Sequence, residues 1–115
     1  MGFSVSLRLL TGKQQFHRLF PRVRVTKPCR VAWADAEVRG STKDLSYGGV
    51  AAELPRDLKW RDEKARLVLL PEGMTLRVRP IRYERRGITT KVAFQVEGVE
   101  RGERQWQQLT QLPRW

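Results

Sequence analysis

At 115 residues the chain has the length of one domain, enough for a core of its own but with a modest surplus of stability. Its 23 lysines and arginines against 12 acids give a net charge of +11 and a pI near 11.0, which favours an anionic partner. Cys29 is the single cysteine, so an intrachain disulfide and a multi-cysteine metal site are excluded, and a reducing, cytoplasmic setting is expected. Residues 3–10 are apolar but too few for a membrane span, are broken by Ser4, Ser6 and Arg8, and lack the marks of a cleavable signal. Residues 1–17 therefore read as an N-terminal arm or the end of a linker from something longer, and residues 18–115 as the folded unit. The basic residues are unevenly placed. Arg8, Lys13, Arg18, Arg22, Arg24, Lys27 and Arg30 all precede the first acid, Asp35.

From residue 22 onward period two dominates. Val23, Val25, Cys29, Val31 and Trp33 fall on one face of a first strand, with Lys27-Pro28 interrupting it as a bulge or edge position. Cys29 reads as a small core hydrophobe. Further strands are predicted over residues 37–45, 49–54, 65–70 and 74–85, with Pro71-Glu72-Gly73 and Arg86-Gly87 as turns. A last strand alternates Ile88, Val92, Phe94 and Val96 with Thr89, Lys91, Ala93 and Gln95. After Gly98, the recurrence of Trp106, Leu109 and Leu112 predicts a helix over residues 99–112 that lays a narrow apolar stripe on the sheet. Short strands at this spacing predict an all-β barrel or sandwich. Trp33 and Trp106 are assigned to the core or the helix–sheet contact, and Trp60 falls in a charged loop with no assigned role.

The chemistry concentrates in two clusters. Asp44-Leu45-Ser46-Tyr47-Gly48-Gly49 sets a carboxylate, a hydroxyl and two positions without side chains within one turn of chain. A carboxylate can accept both N1–H and the exocyclic amine of a guanine, while arginine pairs grip phosphate oxygens or the O6/N7 edge of guanine. Arg18 and Arg22 supply such a pair upstream. Pro21 argues against a helix there, and in an extended chain the two arginines point the same way about 13 Å apart at the rise of a strand. Together the clusters describe a receptor for a small anionic guanine compound. R-x-x-x-R carries little information alone in so arginine-rich a chain, since Arg82 and Arg86 fit it too. D-x-S-x-x-G, placed after the arginine pair, carries the weight. His17 and Phe20 are secondary candidates: either can stack on a base, and Phe20 can equally anchor the arm.

In this order, R-x-x-x-R at Arg18 and Arg22 followed by D-x-S-x-x-G at Asp44, Ser46 and Gly49 resembles the PilZ domain, over about residues 16–112. The resemblance implies a small antiparallel Greek-key β-barrel of about six strands, with a flexible N-terminal arm and a C-terminal helix. It implies a ligand, cyclic di-GMP, held by Arg18, Arg22, Asp44, Ser46, Gly48 and Gly49. The arginines then wrap the messenger from the arm, and the Asp, Ser and Gly face it from the barrel. In that family the residue before the arginine pair, here His17, bears on whether one or two ligand molecules bind. Related domains occur alone, beside motility factors and as cytoplasmic tails of membrane glycosyltransferases such as bacterial cellulose synthase. An attached or separate effector is thus the expected partner, with a regulated glycosyltransferase of the last kind favoured.

Two other readings stay open. One is a nucleic-acid-binding β-barrel, motivated by the charge, although the aromatics do not interleave with basic residues along one strand face. The other is a PilZ-fold adaptor that binds protein. An enzyme is not expected: His17 has no neighbouring cysteine or acid, and neither a Walker-type phosphate loop nor H-E-x-x-H occurs. No metal site is predicted.

Overall fold

The computed structural model describes residues 21–110. Seven strands and one helix follow in chain order: β1 (Val23–Arg24), β2 (Pro28–Ala32), β3 (Glu37–Ser46), β4 (Gly49–Pro55), β5 (Ala65–Leu69), β6 (Met74–Arg86), β7 (Thr89–Arg101) and α1 (Glu103–Leu109). All pairings are antiparallel. The order β3-β2-β5-β6-β7-β4 returns to β3 through the β3–β4 pairing, closing a six-stranded Greek-key barrel, with β1 as an additional strand on β3. Closure removes the free edges that an open sheet would expose.

The inward face follows the predicted alternation. Val31, Leu45, Leu54, Leu67, Leu76, Val78 and Phe94 are fully or almost fully buried, and each alternates with a more exposed neighbour. The predicted first strand is divided in two, and Thr42 explains how the gap is held. Its hydroxyl accepts from the Lys27 backbone N–H at 2.9 Å and donates to the Val25 carbonyl, so an inward polar group on β3 satisfies the segment between β1 and β2.

Trp106 closes one end of the barrel. It is fully buried, and its Nε1–H donates to the Tyr47 carbonyl at 3.1 Å, in the turn between β3 and β4. The Tyr47 hydroxyl meets Glu103 at 2.7 Å, and this bond to a carboxylate raises the phenol's pKa above its ordinary value. The helix is shorter than predicted. Gly98 does not end the last strand, because β7 continues to Arg101 and α1 begins only at Glu103. Opposite it, the Arg77 guanidinium lies over Gly98 and fills the space that a side chain would take, so the glycine sits inside the strand without breaking it. Gly102, with a left-handed φ of 85°, then turns the chain into the helix. Leu112 lies outside the described residues. Ile88 also departs from the expected strand. It sits in the β6–β7 turn, 87% exposed, and the inward sequence on β7 starts at Thr90.

The β4–β5 connection crosses the barrel surface and is pinned along its length. Arg85 donates to the carbonyls of Arg56 and Leu58, Trp60 stacks on Tyr83 with centroids 4.7 Å apart, and Arg61 pairs with Asp35 at 2.6 Å. Among the described residues no helix is long and apolar enough to cross a membrane.

Candidate functional site

Register puts the site together. On the outer face, Asp44 of β3 lies opposite Ala51 of β4, Ala51 opposite Ala93 of β7, and Ala93 opposite Arg82 of β6. In the neighbouring row Ser46 lies opposite Gly49. The middle positions of the first row are alanines, and Gly49 adds bare backbone beside Ser46, so they form a low floor between taller walls. The resulting cavity has a volume of about 350 Å³, within the size range of small-molecule sites. Arg22, Asp44 and Ser46 line one side, Arg82 and Arg86 the other, with Gly49, Ala51 and Ala93 between them.

Two β-bulges aim the walls. Strict alternation from the buried Thr42 would turn Asp44 into the core and Leu45 out to solvent. The β3–β4 register shifts between Thr42 and Asp44, leaving Lys43 as the extra residue. Thr42 and Leu45 thereby both face inward, and Asp44 and Ser46 share the outer face. β3 thus runs one residue past the predicted strand over 37–45, to Ser46. On β6 the shift falls between Pro80 and Arg82, with Ile81 extra. Pro80 is buried opposite Phe94, while Arg82 emerges opposite Ala93. Proline lacks the N–H that a regular ladder would use, and a bulge accommodates it.

Carboxylates neutralise part of the basic surface outside the site. Along β5, β6 and β7, Glu100 lies between Arg66 (2.7 Å) and Arg77 (3.7 Å), and Glu97 between Arg79 (3.4 Å) and Lys64 (3.8 Å). The hydrogen bond from Arg66 holds the Glu100 carboxyl below its usual range. Within the cavity only Arg86 has an acidic partner, Glu84 at 3.0 Å. Arg22, Arg82 and Lys91 form no ion pair with another described residue, and neither does Asp44. Three cations and one carboxylate that are unpaired among the described residues make an open depression suited to an anion that also carries paired N–H donors.

The structure therefore brings four of the predicted site residues together: Arg22, Asp44, Ser46 and Gly49. Gly48 is buried in the adjoining turn, its carbonyl accepting from Val96 N–H at 2.9 Å, and does not line the cavity. Arg18, His17 and Phe20 lie outside the described residues. Arg82, Tyr83 and Lys91 were missed as site residues by sequence reasoning. The only signal was the second R-x-x-x-R spacing at Arg82 and Arg86, which carries no weight until the register is known.

Comparison with curated protein sequences gives no match. Solved structures with similar folds include the inhibitor of motility MotI/DgrA from Bacillus subtilis, 20% identical with a TM-score of 0.65, where the match covers 80% of this chain and 46% of that one. The PilZ domain of YcgR from Escherichia coli, solved with c-di-GMP, is 18% identical with a TM-score of 0.60, covering 81% of this chain and 86% of that one. A longer YcgR chain in complex with c-di-GMP is 19% identical at a TM-score of 0.56, covering 81% and 42%. The chain thus spans less than half the length of MotI and of the longer YcgR chain. Residues 13–112 match the PilZ domain family, and the chain belongs to it.

Proposed function

We propose that this PilZ domain is a cyclic di-GMP receptor that acts as a regulatory binding domain, without catalysis of its own. The observation that carries the reading is the convergence of Arg22, Asp44, Ser46 and Gly49 on one cavity whose Arg22, Arg82, Lys91 and Asp44 are unpaired among the described residues. Membership of the PilZ family and the fold shared with the PilZ domain of YcgR, solved with c-di-GMP, support it. Asp44 accepts the N1–H and exocyclic amine of one guanine. Ser46 and the bare backbone at Gly49 complete that surface, and Arg22 with Arg18 takes phosphate oxygens or guanine edges.

In this proposal residues 1–17 form an arm that reorders when Arg18 and Arg22 engage the ligand, while residues 18–115 form the receptor. Ordering costs about 1–2 kcal/mol per backbone residue, and charge-assisted hydrogen bonds of about 1.5–3 kcal/mol each offset it. The reordered arm relays the signal to an attached or separate effector in the cytoplasm, with a membrane glycosyltransferase of the cellulose synthase type as the favoured target.

Isothermal titration of cyclic di-GMP into the chain, with Arg22→Ala and Asp44→Ala alongside, tests the reading. Binding to the wild type should weaken at least tenfold in each variant, since each loses a charged hydrogen-bonding group. A wild-type chain that neither binds nor is stabilised against heat by the messenger overturns it.

A further inference from the structure

Arg82 and Arg86 repeat the spacing of Arg18 and Arg22, and the sequence gives this second pair no role. The fold gives it one. Both are on β6, where residues 82, 84 and 86 share a face, and both line the cavity from the side opposite Asp44. We propose that Arg82 is a ligand-contacting residue from outside both motifs, gripping the far half of the bound messenger across the Ala51–Ala93 floor. The inference rests on the cyclic di-GMP reading of the site.

Three observations single out Arg82. The register Asp44–Ala51–Ala93–Arg82 runs straight across the cavity, and the two residues between are alanines, so nothing tall separates the carboxylate from the guanidinium. The bulge at Ile81 turns Arg82 outward at that row. Arg82 also lacks an ion-pair partner among the described residues, whereas its neighbours are engaged: Arg86 with Glu84 at 3.0 Å and Arg79 with Glu97 at 3.4 Å.

The chemistry of the ligand fits this placement. Cyclic di-GMP is two-fold symmetric, with two guanines and two phosphodiesters. A site that reads one guanine at Asp44 faces an equivalent guanine and phosphate on the other side. Asp44 satisfies N–H donors only, so the far half still offers acceptors: phosphate oxygens and the O6/N7 edge. An unpaired guanidinium meets those acceptors with two parallel N–H groups, which a lysine cannot do.

The test is titration of cyclic di-GMP into wild type, Arg82→Ala, Arg82→Lys and Arg79→Ala at 0.15 and 0.5 M NaCl, following heat and melting temperature. Arg82→Ala should bind about tenfold to hundredfold more weakly, with the loss persisting at high salt; Arg82→Lys should recover only part of it. Arg79→Ala should stay within about twofold of wild type. Circular dichroism checks that each variant is folded, and Arg82→Gln replaces the alanine variant if it is not. A loss in Arg82→Ala no larger than in Arg79→Ala, or one that vanishes at 0.5 M NaCl, reduces Arg82 to general surface charge and overturns the inference. No binding by the wild type overturns the receptor reading and this inference together. Wild-type binding that Arg82→Ala retains overturns this inference alone.

Discussion

Cys29 shows how one side chain reports on the integrity of the barrel. It is 1% exposed on β2, and burial pushes its thiol up to about 11, against a weaker opposing backbone hydrogen bond from Gly40. A thiol with a raised folded pKa stabilises the fold fully below the unfolded pKa, near 8.5–9, where both states hold the proton. As pH rises toward 11 the unfolded chain alone releases it, and that contribution is lost, on the order of 2–3 kcal/mol over the interval. Urea unfolding of wild type and Cys29→Ala from pH 8 to 11 isolates this term, since the other titrating groups are shared. The difference between the two stabilities should shrink or reverse by that amount. A difference that stays constant with pH would show that the thiol ionises alike in both states.

Among the elements, β3 is the one whose geometry makes the site, and it does so through Lys43. With Lys43 as the extra residue, Thr42 and Leu45 both face the core and Asp44 faces out. Deleting Lys43 leaves Thr42, Asp44, Leu45 and Ser46 in plain alternation with the same faces. That variant should fold, within about 2 kcal/mol of wild-type stability, and retain binding of cyclic di-GMP within about tenfold. Deleting Leu45 removes a core side chain and swings Ser46 inward, and should abolish folding or binding. Thermal melts and titrations of both deletions check this; a Lys43 deletion that folds but does not bind would mean that the local twist of the bulge, not only the facing of Asp44, aims the carboxylate. The strands, the core residues and the Asp44–Gly49 cluster were legible in the sequence because alternation and motif spacing are local properties. Arg82 was not, since its place opposite Ala93 depends on pairing between two long strands with three register shifts. Gly98 misled for a related reason: a glycine read along the chain looks like a boundary, while here the strand runs through it and the cross-strand Arg77 fills the space beside it.

For the molecule as a whole, the charge of +11 acts on every anion, and the site must add selectivity to that field. Carboxylates bridge several cations along β5–β7, while in the cavity Arg22, Arg82 and Lys91 have no ion-pair partner among the described residues and add to the field there. Raising NaCl from 0.05 to 0.5 M should therefore weaken cyclic di-GMP binding only modestly, by about tenfold, and mainly through slower association. A nucleic-acid-binding barrel would instead lose several powers of ten over the same range, with a log–log slope close to the number of phosphates neutralised. Stopped-flow association and equilibrium titration across that range, with a single-stranded oligonucleotide as competitor, decide between them. Tight oligonucleotide binding with a steep slope would favour the nucleic-acid reading. The C-terminal helix is tied directly to the cavity. Trp106 and Glu103 hold the turn at Tyr47 from two sides, and that turn lies directly between Ser46 and Gly49. The floor of the cavity and the helix thus meet at a single short turn, so the seat of one is also the rim of the other.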